Sequence, residues 1–168
     1  QNAHRSYTQG NTANAVNKKL RTRNENLSPE ERSVQTGMDQ AFNEASFELQ
    51  QPRTVYRSET KRVGSAATGD SADLVVGNKI KQNDVTVDLG FMSTRENAVD
   101  AAGDMESIGR QGFGEQVQVN YAINVPAGTR MLAGNESQGE TILDRGSQLR
   151  VTKVTKSGPN KVDVEAEV

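Results

Sequence analysis

Three polar residues, each on or beside a short predicted strand, are the candidates for chemistry in this chain. Arg57 follows the β-prone triplet Thr54-Val55-Tyr56, and Ser93 and Glu140 come later, each beside a further predicted strand. An arginine at the end of a strand offers a planar fork that matches phosphate oxygens. A glutamate carboxylate can stabilise positive charge in a transition state, and a serine hydroxyl can hold that carboxylate in one rotamer.

The motifs around these residues, and their order, carry a family resemblance. Ser93 lies in the run Asp88-Leu89-Gly90-Phe91-Met92-Ser93-Thr94, and residues 123–129 read Ile-Asn-Val-Pro-Ala-Gly-Thr. Gln138-Gly139-Glu140 precedes Ile-Leu-Asp-Arg-Gly-Ser at residues 142–147. Ser-Thr or Gln-x-Glu alone would carry little weight. In this order, over residues 54–154, the set resembles the R-S-E class of mono-ADP-ribosyltransferases, toxin-like enzymes that use NAD.

The resemblance implies a role for each residue. Arg57, with Tyr56 beside it, is expected to bind the pyrophosphate of NAD. Ser93 is expected to orient the carboxylate of Glu140, with Thr94 as its packing neighbour in the cofactor site. Glu140 is expected to accept the ribose 2′-hydroxyl, so that its charge lies beside the oxocarbenium-like cation formed when the glycosidic bond breaks. The expected cofactor is therefore NAD, as a co-substrate, with no metal.

Gln138 and the loop before it are expected to select the acceptor. Gln138 and Glu140 are two apart on a segment that reads as strand or strand entrance, so alternation predicts that both side chains face one cleft. In the family, the residue two before the catalytic glutamate faces the acceptor, and the preceding loop, here residues 133–137, selects the target. A neutral amide suits a neutral acceptor. The resemblance thus implies an asparagine or glutamine side chain of a host protein, with a nucleobase of DNA or RNA as the alternative.

Each residue also has a plainer structural interpretation. Taken alone, Arg57 is more often a surface ion-pairing arginine, and Glu140 a charged residue that protects a strand edge. Ser93 could cap a helix, because an acid three residues later would complete a capping box. Phe113 is a candidate to stack on nicotinamide, although a core or loop role is commoner for such an aromatic. Arg95 departs from the family, which usually has a third Ser or Thr there, and this bears on how the strand end packs.

The chain reads as helical first and mostly strand afterwards. Residues 1–50 are polar and helical in character, and residues 28–31, Ser-Pro-Glu-Glu, predict a capping box. Short antiparallel strands are predicted over residues 54–168, among them the strictly alternating 116–125, with one helix between 96 and 108. The predicted core stripe of the N-terminal helix is Val34, Met38, Ala41, Phe42 and Ala45.

These elements indicate an α+β fold. The resemblance implies the ADP-ribosyltransferase arrangement, in which N-terminal helices pack on two small, roughly perpendicular antiparallel β-sheets with NAD in the cleft. We expect a single domain over residues 1–168, with a helical portion at 1–50 and a mostly β catalytic core at 54–168. Because the first residue is Gln rather than Met, we expect this domain to be part of a longer polypeptide. We also expect a monomer.

Composition narrows the function classes. The 20 Lys and Arg residues nearly balance the 22 Asp and Glu residues, so the net charge does not favour nucleic-acid or membrane binding. The absence of cysteine excludes disulfides and thiolate metal sites, and a single histidine, His4, argues against metal catalysis. No stretch approaches the roughly 18 apolar residues of a membrane span. We expect a soluble bacterial toxin or effector, or a phage enzyme, secreted or injected, that acts in the cytoplasm of a target or host cell.

Two other functions remain open. The chain could be a catalytically inactive or structural domain of the same fold, in a phage virion or toxin protein, that binds protein. A nucleic-acid-binding module would depend on the six Lys and Arg residues within residues 1–35, although the near-zero net charge argues against it.

Overall fold

The computed structural model describes residues 12–62, 72, 75–76, 79–108 and 116–168. These residues contain three α-helices, one 3-10 turn and nine strands. The helices are α1 (Thr12–Arg21), α2 (Pro29–Ala45) and α3 (Ala98–Ile108), and the 3-10 turn is Glu136–Gln138. The strands are β1 (Phe47–Glu48), β2 (Arg53–Arg62), β3 (Val85–Asp88), β4 (Met92–Arg95), β5 (Gln116–Val125), β6 (Arg130–Ala133), β7 (Glu140–Leu143), β8 (Ser147–Gly158) and β9 (Lys161–Glu167). None of these helices is long and apolar enough to cross a membrane.

The chain forms two compact units. The first consists of the described residues of 1–51 together with 87–93 and 127–148. The second consists of the described residues of 52–86, 94–126 and 149–168. Strand β4 begins in the first unit and ends in the second, because the boundary falls between Ser93 and Thr94.

The first unit packs α1 and α2 on strands in the order β1-β6-β7-β4. The predicted capping box is confirmed: the Ser28 hydroxyl accepts from the Glu31 N–H at 3.2 Å, and the Glu31 carboxylate accepts from the Ser28 N–H at 2.6 Å. Of the predicted stripe, three residues are buried and Ala41 packs against them, whereas Ala45, at the helix end, is exposed. The buried core of this unit is Val16, Val34, Met38, Phe42, Phe91, Leu132 and Ile142.

The second unit places α3 against β2 and β5, with the strand order β4-β2-β5-β9-β8-β3. The predicted alternation of β5 is confirmed, because Val117, Val119, Ile123 and Val125 are fully buried. One pairing differs from the prediction: β5 and β9 are parallel rather than antiparallel. Side chains alternate between the two faces of a sheet in parallel and antiparallel strands alike, so the sequence pattern does not give strand direction. The direction is set by the connection between β5 and β9, which here passes through β8.

Helix α3 begins at Ala98 and is capped by Asn97, whose side-chain oxygen accepts from the Asp100 N–H at 2.9 Å. Ser93 lies in strand β4 instead. The capping-box interpretation of Ser93 is therefore wrong, because the chain stays extended for two residues beyond it and the asparagine supplies the cap.

The Asp88–Thr94 motif ties the start of β4 to α1. The Asp88 carboxylate accepts hydrogen bonds from Nε and one terminal nitrogen of Arg21, at 2.7 and 2.9 Å. It also accepts from the Gly90 N–H at 2.9 Å. The Phe91 N–H donates to the side-chain oxygen of Asn17 at 2.9 Å, and both residues are buried. This backbone contact lies two residues before Ser93 and one before the start of β4, so α1 fixes the point at which that strand begins.

Gly90 is needed for this close approach, which generates a stability prediction. A Cβ at Gly90 would lie 2.8 Å from the Asn17 side-chain oxygen and 3.2 Å from Arg21 Nε. We expect Gly90→Ala to lower the free energy of unfolding by about 1–3 kcal/mol, as for an overpacked interior. Thermal unfolding measures it.

The matched control is Gly103→Ala in α3, because a Cβ there meets nothing within 4 Å. In a helix interior that change should stabilise the protein by about 0.5–1 kcal/mol. Equal unfolding temperatures for the two variants would contradict the role of Gly90.

Candidate active site

The structure brings Ser93 and Glu140 into direct contact within the first unit. The Ser93 hydroxyl donates a hydrogen bond to Oε1 of the Glu140 carboxylate, and both residues are half-buried. The contact arises because β4 and β7 are neighbouring strands, with Ser93 second in β4 and Glu140 first in β7. Two residues that sequence analysis selected from separate motifs thus form one hydrogen-bonded pair.

The second carboxylate oxygen of Glu140 is held by the backbone of the preceding loop. The Asn135 N–H donates to Glu140 Oε2 at 2.8 Å. The loop is closed by two further backbone bonds: the Gly134 N–H donates to the Glu140 carbonyl at 2.9 Å, and the Glu140 N–H donates to the Asn135 carbonyl at 3.1 Å. The sequence placed Gly134 and Asn135 only in the loop expected to select the acceptor. Their contacts with Glu140 were not predicted, because both are made through the backbone, which no side-chain type identifies.

Gln138 lies at the entrance of β7 rather than within a strand. It ends the 3-10 turn, and Gly139 then takes a left-handed conformation with φ of 58° before β7 begins at Glu140. The prediction that Gln138 and Glu140 alternate along one strand is therefore wrong, because the left-handed residue breaks the extended repeat. The Gln138 side chain is exposed on this loop. Ala133, predicted as the first loop residue, belongs to β6.

The predicted NAD-binding residues Arg57, Tyr56 and Thr94 lie in the second unit. Arg57 is half-buried in the middle of β2, opposite Tyr121 of β5. The prediction that it ends a strand is wrong, because pairing with β5 continues as far as Arg62. Tyr56 projects to the other face of β2, where it lines a cavity of about 340 Å³ beside α3. Tyr56 also pairs with Arg95, the residue that departs from the family motif, where β2 and β4 run antiparallel. Thr94 is 1% exposed, so its side chain faces the interior.

The remaining sequence candidates lie in parts of the chain that the structure does not describe. Phe113 is outside the described residues, as is His4. Among the residues that are described, no three His, Cys, Asp or Glu side chains are grouped to hold a metal ion.

The turn after β7, Asp-Arg-Gly at residues 144–146, ties that strand to α2. Arg145 donates two hydrogen bonds to the Asp39 carboxylate, at 2.7 and 2.8 Å. These bonds raise the pKa of Arg145 above its ordinary value. Burial raises the pKa of the neighbouring Asp144 carboxyl. The Gly146 N–H, in a left-handed turn with φ of 82°, donates to the Asp88 carbonyl at 2.6 Å. The motif thus supports the strand that begins with Glu140.

Comparison with known proteins relates the chain to one family and one fold. The sequence model of the ADP-ribosyltransferase exoenzyme family matches residues 1–168. A search of curated proteins by sequence finds no match.

Three solved bacterial structures share the fold. Vis toxin, an ADP-ribosyltransferase from Vibrio splendidus, has a TM-score of 0.69 and 16% identity over 99% of this chain and 72% of its own. Exoenzyme S from Pseudomonas aeruginosa, solved with human 14-3-3 protein beta and bound to carba-NAD, has a TM-score of 0.66 and 17% identity over 99% of this chain and 74% of its own. Plx2a, an ADP-ribosyltransferase toxin from Paenibacillus larvae, has a TM-score of 0.67 and 19% identity over 100% of this chain and 86% of its own. These similarities confirm the α+β fold class.

Proposed function

Since the chain belongs to the ADP-ribosyltransferase exoenzyme family, we propose that the pair Ser93 and Glu140 is the catalytic centre of a mono-ADP-ribosyltransferase. Family membership makes the chain an NAD-dependent ADP-ribosyltransferase, which confirms the predicted co-substrate. The observation that carries the assignment of the site is the hydrogen bond from Ser93 to the Glu140 carboxylate. An oriented carboxylate beside a supporting hydroxyl is what a developing sugar cation requires.

The proposed reaction needs only NAD and the acceptor. The bond between the ribose C1′ and the nicotinamide nitrogen breaks, and its electron pair leaves with nicotinamide. A new bond forms between C1′ and the acceptor nitrogen, which releases a proton. Glu140 stabilises the positive charge that develops on the ribose between these events and accepts a hydrogen bond from its 2′-hydroxyl. Because this charge exists only near the transition state, the carboxylate accelerates the reaction more than it strengthens NAD binding.

We assign the pyrophosphate of NAD to Arg57. Its support is its half-buried position on β2, immediately after the β-prone triplet, and the bidentate geometry of a guanidinium. Ser93, Tyr56 and Thr94 remain predicted contacts in the NAD site. Phe113 remains a predicted nicotinamide contact.

The acceptor that we propose is an asparagine or glutamine side chain of a host protein, with a nucleobase as the alternative. Its support is Gln138, an exposed amide on the loop that leads into Glu140. An amide offers one donor group and one acceptor oxygen, which match another amide and leave a cation without a counter-charge. We propose that the enzyme acts as a monomer in the cytoplasm of the target cell, as a toxin or effector or as a phage enzyme.

The first prediction for this site concerns the charge of Glu140. Glu140→Gln should lower nicotinamide release by about a hundredfold or more while NAD affinity stays nearly unchanged, because the charge acts in the transition state. Steady-state kinetics and calorimetry measure the two quantities. The control is Glu136→Gln, which neutralises an exposed acid on the same loop and should retain wild-type turnover. Near wild-type turnover in Glu140→Gln would remove this residue from catalysis.

The second prediction concerns Arg57. Arg57→Lys should weaken NAD binding by about tenfold, because an ammonium cannot reproduce a bidentate contact with the pyrophosphate. Arg53→Lys on the same strand is the control, since Arg53 is exposed and its guanidinium lies 3.5 Å from the Glu96 carboxylate. Isothermal titration with NAD distinguishes the two variants. An unchanged dissociation constant in Arg57→Lys would place this residue outside the NAD site.

The third prediction concerns acceptor choice. Gln138→Ala should lower transfer to the protein acceptor much more than NAD hydrolysis, because water needs no amide to orient it. Gln138→Glu should instead raise transfer to agmatine, because a carboxylate can hold its cationic guanidinium. Vis toxin, which shares this fold, has been solved with agmatine, so this guanidinium compound is a suitable probe. Efficient transfer to agmatine by the unmodified enzyme would show that Gln138 does not select a neutral acceptor.

A further inference from the structure

We propose that the backbone of the acceptor loop, residues 134–139, positions the catalytic carboxylate, so that Gly134 and Asn135 are positioning residues for Glu140. This inference rests on the proposed function, because it assigns their role through the catalytic glutamate. It divides the loop into two parts. The exposed side chains of its 3-10 turn face the acceptor, and the backbone at 134–135 holds the carboxylate.

The first observation is that the two oxygens of the Glu140 carboxylate have donors on different elements. Oε1 accepts from the Ser93 hydroxyl on β4, and Oε2 accepts from the Asn135 N–H on the loop, at 2.8 Å. The terminal torsion of a glutamate is broad and roughly two-fold, so one donor alone leaves the plane of the carboxylate loosely defined. Two donors on opposite oxygens fix that plane. Serine therefore supplies only half of the orientation that the reaction needs.

The second observation is the contact between Gly134 and the Glu140 side chain. A Cβ built on Gly134 would lie 2.5 Å from Oε2, 2.6 Å from Cγ and 2.7 Å from Cδ of Glu140. Gly134 is not among the residues with a left-handed φ, unlike Gly139. Glycine is therefore required at 134 by the space that the carboxylate occupies, whereas at 139 it suits the backbone conformation.

The third observation is that the loop backbone is closed on itself. The Asn135 carbonyl accepts from the Gln138 N–H at 3.0 Å and from the Glu140 N–H at 3.1 Å, and the Glu136 carbonyl accepts from the Gly139 N–H at 3.2 Å. These bonds hold the Asn135 N–H in place relative to the start of β7. A change that moves this backbone should therefore slow every reaction at Glu140, with water as well as with the acceptor.

The test compares two substitutions at Asn135. Its φ of −79° suits proline, so Asn135→Pro replaces the N–H that donates to Glu140 and keeps the carbonyl that closes the loop. Asn135→Ala keeps that N–H and removes the side-chain amide, whose oxygen accepts from the Ser137 hydroxyl at 2.7 Å. We expect Asn135→Pro to lower kcat for NAD hydrolysis by about tenfold or more, with KM for NAD within about twofold, because orientation is lost and NAD binding is kept. Asn135→Ala, which keeps the backbone N–H, should lower that kcat much less than Asn135→Pro does.

A second pair of variants acts through space rather than through the hydrogen bond. Gly134→Ala should lower kcat by about a hundredfold, because the carboxylate has to leave its place. Gly158→Ala is the control, since a Cβ there would meet Lys161 Cβ at 3.6 Å, an ordinary contact. Melting temperature and NAD affinity, measured on each protein, should stay near wild type, so that a loss of kcat reports the carboxylate and not the fold.

The outcomes separate this inference from the proposed function. Wild-type kcat in Asn135→Pro and Gly134→Ala, with Glu140→Gln inactive, would overturn the inference and leave the proposed function intact. Equal losses in Asn135→Pro and Asn135→Ala would also overturn it, because the side chain rather than the N–H would be responsible. Full activity in Glu140→Gln would overturn the proposed function itself. A drop in kcat that is large in Asn135→Pro and Gly134→Ala and much smaller in Asn135→Ala, at unchanged KM for NAD, is the result that we expect.

Discussion

The hydrogen bond from Ser93 to Glu140 connects two strands that start from unrelated parts of the sequence, and the first unit is built to keep those strands in register. Asn17 and Arg21 of α1 hold the segment that leads into β4. Asp39 of α2 holds the turn that follows β7. The two N-terminal helices, to which the sequence assigns no chemistry, thus fix the strands that carry the pair. A small displacement at either anchor would separate a hydroxyl and a carboxylate that act only at contact distance.

The carboxylate of Glu140 is held on both sides and still has capacity for a substrate. An ionised carboxylate offers about four acceptor positions. Among the described residues, the Ser93 hydroxyl takes one and the Asn135 N–H takes another, which leaves positions for a ribose hydroxyl. Its half-buried setting also matters, because partial exclusion of water strengthens the attraction between the carboxylate and a developing cation.

Sequence reasoning succeeded where a local pattern has a single structural solution. The capping box at Ser28 and the alternation of β5 are such patterns, and both are confirmed. The pair Ser93 and Glu140 could be selected because their motifs occur in a family order. Other features depend on the tertiary structure. Residue types do not reveal that β9 runs parallel to β5, or that the Asn135 backbone donates to Glu140. The left-handed Gly139 separates Gln138 from the strand that begins at Glu140.

The most direct test of the central claim is a double-mutant cycle on the catalytic pair, with single-turnover nicotinamide release as the measurement. If Ser93 acts by orienting the Glu140 carboxylate, Ser93→Ala should slow release clearly in the wild-type background and cause little further loss in the Glu140→Gln background. Strong non-additivity of this kind is the result that the account predicts. Losses that multiply in the double variant, at equal NAD affinity, would show that the two residues act independently and would contradict it.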